Sequence, residues 1–207
     1  MKLALSALLA TVFATAALAQ APKDPLDYLV KDPAKVPAGA YVIEPAHTRV
    51  MFGVMHKGFT LYYGQFSNVS GTMSLDPKAL AASKFDISVP TATVSTTNSV
   101  LDGELRDPMW MDAAKYPTIT FKSKSVKSTG PSTADVTGDF TFHGVTKPLT
   151  LKVKFNAAGP DPMSHKYTVG FGVTGRIKRA EYNFATEEPI LGDDVDLIIS
   201  AAFVKAP

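Results

Sequence analysis

Apolar residues recur at every second position through most of the chain, the spacing of strands that bury one face and wet the other. Val50, Phe52 and Val54 alternate with Arg49, Met51 and Gly53. Val69, Gly71, Met73 and Leu75 run into an Asp76-Pro77 turn, and Phe85, Ile87 and Val89 alternate with Asp86 and Ser88. The pattern resumes at Ile119 and Phe121, at Val136, Gly138, Phe140 and Phe142, and at Leu151, Val153 and Phe155. It ends with Val169, Phe171 and Val173, then Val195, Leu197, Ile199, Ala201 and Phe203. Side chains of a strand point alternately to opposite faces, so each run belongs to an antiparallel strand covered on one side. About eight such strands separated by turn residues predict an all-β fold, a barrel or a sandwich. The short His143-Gly144-Val145-Thr146 connection favours neighbours that meander, and with them an extended antiparallel β-barrel.

One segment departs from the alternation. Asn98 or Ser99 can cap a short inserted helix, with Leu101 and Leu105 one turn apart and Asp102 and Glu104 near its positive end. Pro108 stops it, and the apolar Met109-Trp110-Met111 follows. Such an insertion either covers one end of a barrel or only seals its core.

The N-terminus reads as a targeting segment. Lys2, the apolar Leu3 to Ala14, and Ala17-Leu18-Ala19 before Gln20 have the order of a signal peptide over residues 1–19. Export to the periplasm is therefore expected. No Cys follows the cleavage site to carry a lipid anchor. Residues 20–39, with Pro22, Pro25, Pro33 and Pro37, read as an extended lead-in rather than a packed element, and residues 40–205 as one domain. No later stretch is long and apolar enough for a membrane helix, so stable membrane insertion is not expected.

Charge and composition narrow the function. The formal charge is +2, and cleavage would remove Lys2, too balanced a chain for nucleic acid as partner. With no cysteine there is no disulfide, thiol nucleophile or thiolate metal site. Histidine is scarce: His47, His56, His143 and His165. His47 and His56 are nine positions apart and would face opposite sides of an unbroken strand, so no metal site and no cofactor are expected. No nucleophile–base or phosphate-loop motif occurs, and the chain reads as a binding protein rather than an enzyme.

The apolar inventory, with 12 Phe and 7 Met, points inward. Phe52, Val54, Phe66, Ile119, Phe121, Phe140, Phe142, Val153, Phe155, Phe171 and Trp110 are the candidate lining of a channel. An eight-stranded barrel is just wide enough to be filled by its own side chains or to hold one small ligand, and periodicity does not choose between the two. His56, which shares the parity of Phe52 and Val54, is a candidate contact for a ligand head group, together with Asp102, Arg106 and Arg179. The guanidinium groups would suit an anionic head. Against this stand a buried structural role for His56, a solvated Arg106, and a surface pair between Arg179 and Glu181. A ligand-free β-sandwich serving as an interaction or stress-response module is the alternative. A third reading, an enzyme acting on a lipid head, needs His56, Asp102 and Glu104 to converge.

Several segments carry a resemblance. Tyr41-Val42-Ile43-Glu44-Pro45-Ala46-His47-Thr48 with Val50 to His56, then Asp102, Leu105, Trp110-Met111-Asp112 and Tyr116 to Ser123, resemble the YceI-like family of lipid-binding proteins. So do Gly138 to Leu149, Ile177-Lys178-Arg179 and Gly192-Asp193-Asp194-Val195. Leu101, Glu104 and Asn183 depart from the family's usual Arg, His and Gly, and Trp110-Met111 replace its pair of Phe. The resemblance implies a hollow, lipocalin-like barrel whose partner is a polyisoprenoid or other long-chain lipid, such as an isoprenoid quinone or a fatty amide. It leaves the ligand's identity and the oligomeric state open, a homodimer included.

Overall fold

A computed structural model describes residues 26–184 and 190–207. The proposed signal peptide therefore lies outside the described residues. Ten strands follow in chain order: β1 (Gly39–Ile43), β2 (Arg49–His56), β3 (Thr60–Phe66), β4 (Ser70–Leu75), β5 (Lys84–Pro90), β6 (Thr118–Gly130), β7 (Thr133–Phe142), β8 (Val145–Pro160), β9 (Tyr167–Lys178) and β10 (Leu191–Lys205). Helix α1 (Ser99–Arg106) sits in the long connection between β5 and β6. The sheet runs β1-β4-β5-β6-β7-β8-β9-β10 and closes through an antiparallel β1–β10 pairing, an eight-stranded ring. The β2–β3 hairpin continues the sheet from the first half of β10. Barrel and inserted helix are thus as expected from the sequence.

Closure depends on one irregularity that alternation does not show. β1 and β2 both lie along β10, with Ile43 opposite Phe203 and Arg49 opposite Ser200. Residues 44–48 therefore face only Ala201 and Ala202. Pro45 lies in this stretch, where it has no amide hydrogen to give the ladder. Thr48 takes over: its Oγ1 accepts from the Ala202 N–H at 3.0 Å and donates to the Ala202 carbonyl at 3.3 Å. The bulge bends β2 away from β1 and lets one β10 serve both.

Turn chemistry fixes register elsewhere. His143 (φ 48°) and Gly144 (φ 76°) are the two central residues between the paired Phe142 and Val145. Two successive positive φ values define the type I′ turn whose twist suits a hairpin. Lys57 (φ 54°) and Gly58 (φ 70°) also take positive φ, in the three-residue loop 57–59 between the paired His56 and Thr60.

The lead-in is more than an extended tether. Val30 exchanges both backbone hydrogen bonds with Ala158 of β8, at 2.7 and 2.9 Å, and Val36 is buried at the foot of the barrel. Between them Pro33–Lys35 form a single 3-10 turn, capped by Asp32, whose side chain accepts from the Ala34 N–H at 3.0 Å.

Candidate functional site

The barrel interior is solid at one end and hollow at the other. At the end where β1 begins and β10 finishes, Tyr41 and Val169 are 0% exposed and Met73 is 1% exposed. Above them Phe85, Phe203, Phe171 and Phe155 form a chain of edge-on rings, with successive centroids 6.3, 6.0 and 6.0 Å apart. Edge-to-face packing of this kind is the favoured arrangement of aromatic pairs, and here it makes a floor.

Past the floor, several inward side chains are no longer covered by their neighbours. Phe52, Val54, Ile87, Val153, Val173 and Ile199 keep the inward parity yet are only partly buried. Accessible surface on the inside of a closed barrel fronts a void. That void gives about 210 Å³ to the centre of a water molecule. Thr48, Thr120 and Arg179 are the only lining side chains among the described residues that are not hydrocarbon, thioether or aromatic. A cavity without polar partners does not hold ordered water well and favours apolar occupants.

The other end is roofed by the β5–β6 insertion. Asn98 Oδ1 accepts from the N–H groups of Val100 and Leu101 at 3.1 and 3.3 Å, capping α1. Leu105 is buried under the helix, and Trp110 and Met111 reach the cavity through a loop held by Met111 N–H to the Leu105 carbonyl at 3.0 Å. The insertion is stitched to the hairpin by the mutual backbone bonds of Gln65 and Ser95, 2.8 and 2.9 Å. Trp110 meets the Phe184 ring edge-on at 6.1 Å, and Phe184 in turn meets Phe142 at 5.4 Å.

Arg179 anchors this roof. It is 3% exposed, and its Nε, Nη1 and Nη2 donate to the carbonyls of Gly192 (2.9 Å), Phe184 (3.0 Å) and Leu191 (3.2 Å). Its guanidinium lies over the Phe184 ring, 5.5 Å from the centroid. The planar fork of donors suits it to bind several carbonyls at once. The surface pair with Glu181 does not form: Glu181 sits 3.7 Å from Lys147 instead.

Ten of the eleven candidate channel residues lie on the cavity wall: Phe52, Val54, Phe66, Ile119, Phe121, Phe140, Phe142, Val153, Phe171 and Trp110. Phe155 has the right parity but lies one step too low, in the floor against Phe171. Of the four head-group candidates only Arg179 reaches the wall. His56 is at the rim, opposite Leu191 and against Tyr62 at 6.1 Å. Arg106 is on the outer side of the insertion, 3.4 Å from the Ala92 carbonyl. Asp102 is turned onto its own loop, accepting from Thr96 Oγ1 (2.7 Å) and Thr96 N–H (2.6 Å), and these bonds hold its carboxyl below the usual carboxylate range. That occupation leaves it poorly placed as an acid or base.

Several wall residues were missed. Phe85, Ile87, Ile199 and Phe203 show the right alternation and could have been named from it. Phe184 and Leu191 lie in or beside the loop after β9, where no period points anywhere.

An antiparallel barrel, sealed below by stacked rings, apolar within and roofed by a short helix, belongs to the class of hollow lipocalin-like barrels. Within that class a model of the YceI-like domain matches residues 41–203, and the chain belongs to the YceI-like family. Protein YceI of Escherichia coli O157:H7 is 40% identical over 162 residues, covering 78% of this chain and 84% of that protein. The Salmonella arizonae protein is 37% identical over the same coverage. A crystal structure of Burkholderia cenocepacia BcnA superposes with a TM-score of 0.70 at 22% identity, over 77% of this chain and 98% of that one, a likeness of fold. The Campylobacter jejuni YceI protein does so with a TM-score of 0.65 at 28% identity, over 74% and 90%. A polyisoprenoid binding domain from Saccharophagus degradans gives a TM-score of 0.58 at 17% identity, over 82% and 100%.

Proposed function

We propose that this chain is an exported, periplasmic carrier that holds the tail of a polyisoprenoid or similar long-chain amphiphile in its barrel, and that it binds rather than transforms its ligand. The observation that carries the reading is the accessible apolar surface on inward-facing positions above the aromatic floor. Each methylene taken from water contributes about 0.8 kcal/mol, so a tail of some twenty carbons gains on the order of 16 kcal/mol before immobilisation is counted. Association costs offset a large part of that. The remainder suffices for a carrier. The head group would stay at the roofed end, beside Trp110, Phe184 and the buried Arg179, whose guanidinium already donates to loop carbonyls. Displacement of α1 would open the way out. The fold of the Saccharophagus domain, named for polyisoprenoid binding, agrees with this reading.

The direct test is organic extraction of protein purified from its native compartment, followed by mass spectrometry. A long-chain lipid at near one per chain is expected. Repeated recovery of protein that is empty, and that takes up no apolar fluorescent probe, would sink the carrier and restore the ligand-free module.

A further inference from the structure

The carrier reading says that a chain enters; the floor says how far. We propose that the ring layer of Phe85, Phe203, Phe171 and Phe155, backed by Tyr41 and Met73, is a chain-length ruler that admits a single unbranched or prenyl-type chain to about four prenyl units. The proposal rests on the carrier reading and adds a limit to it.

Depth follows from strand geometry. Val195, paired with Val54 and Ile177, marks the top of the tail's path, below the Leu191, Phe184 and Trp110 level where the head would sit, and Phe203, paired with Val169, marks the floor. Eight residue steps separate them on β10. At about 3.3 Å per step and a strand tilt near 40° the depth along the barrel axis is about 20 Å. A fully extended main chain advances about 3.3–3.6 Å per three bonds, or about 1.2 Å per bond, so about 17 bonds fit. A prenyl unit contributes four main-chain carbons, which gives about four units.

Width follows from volume. Spread over about 20 Å, the 210 Å³ open to a water centre leaves a tube of roughly 1.8 Å radius, or about 3.2 Å once the 1.4 Å radius of water is added. Carbon atoms pack at about 3.5–4.0 Å, so two chains side by side need a tube nearly 8 Å across, whereas one chain with methyl branches fits. At that mean width a chain would neither double back nor share the tube.

The floor does not yield easily. Tyr41 and Val169 have no exposed surface, and Tyr41 is paired across the sheet with Met73, which is paired with Phe85. Deepening the tube means displacing a close-packed layer, and packed interiors resist that.

The test uses the full mature chain, stripped of lipid, titrated with prenyl alcohols of two, three, four, six and eight units. Affinity is expected to rise roughly tenfold or more per unit up to four and to change by less than about twofold per unit beyond. Phe203→Ala should move the break outward by about one unit. Ala201→Phe, which adds a ring above the floor without disturbing it, should move the break inward and keeps the test decisive if Phe203→Ala does not fold. Affinity that climbs steadily to eight units, or a break that stays at four units with Ala201→Phe, overturns the ruler and leaves the carrier standing. No binding at any length overturns both.

Discussion

Replacing Arg179 with Met removes the charge, every guanidinium donor and the contact over the Phe184 ring, and leaves a shorter unbranched side chain in their place. Among the described residues three carbonyls lose a donor: Phe184, whose bond is buried, and Gly192 and Leu191, whose bonds are part-buried. A buried acceptor left unsatisfied costs about 1–3 kcal/mol, and water that reaches the two outer carbonyls reduces their share. The expected loss is about 3 kcal/mol, of which Arg179→Lys should recover less than half, since one ammonium cannot span the fork. The loss should begin locally. Trp110, the single tryptophan, touches Phe184 at 6.1 Å, so its emission reports the roof while far-ultraviolet circular dichroism reports the strands. In urea the wild type should show coincident transitions by both probes. In Arg179→Met the tryptophan signal should shift at lower urea than the dichroism, with weakened uptake of an apolar probe. A variant with coincident transitions and a stability within about 0.5 kcal/mol of wild type, the scatter of an ordinary surface change, would show that the guanidinium does not hold the roof.

Two further perturbations probe the floor and the wall. Burial pushes the Tyr41 phenol up to about 12 from its ordinary value of 10, so its protonated form stabilises the fold fully below pH 10 and that contribution is lost as pH rises through 12. The contribution is on the order of 3 kcal/mol, and Tyr41→Phe should flatten this part of the alkaline stability curve, measured by urea melts between pH 9 and 12; an unchanged slope refutes the assignment. Gly64 faces Phe52 across the β2–β3 pair, and a Cβ there would overlap the Phe52 ring. Gly64→Ala should cost about 1–3 kcal/mol, less if the ring swings into the cavity, and Phe52→Leu should relieve most of that cost in a double-mutant cycle. Equal costs in both backgrounds would place the strain elsewhere.

How far the sequence reaches is set by which physical relation each feature needs. Alternation at Val50-Phe52-Val54 or Val195-Leu197-Ile199 is local, because the two-residue repeat alone decides which side of a strand faces in, so the barrel and its inner face are legible. Asn98 before Leu101 and Leu105 is local too, and the helix is where its cap and its stop place it. Whether the inner face is filled is not local. It depends on which ring stands opposite which, and Phe85, Phe155, Phe171 and Phe203 come from four strands spread over more than half the chain. Their meeting in one layer requires the register of every intervening pairing, including the bulge at residues 44–48 that offsets β2 from β1. Parity sends Phe155 and Val153 inward alike; only register sends one into the floor and the other onto the wall. The same logic governs the polar residues. Asp102 and Arg179 are both charged and both near the roof, and nothing in their neighbours tells that one is spent on Thr96 while the other gathers the carbonyls of a loop. A hollow in a barrel is thus a property of layers, and it becomes visible once inward residues of different strands can be compared at the same height.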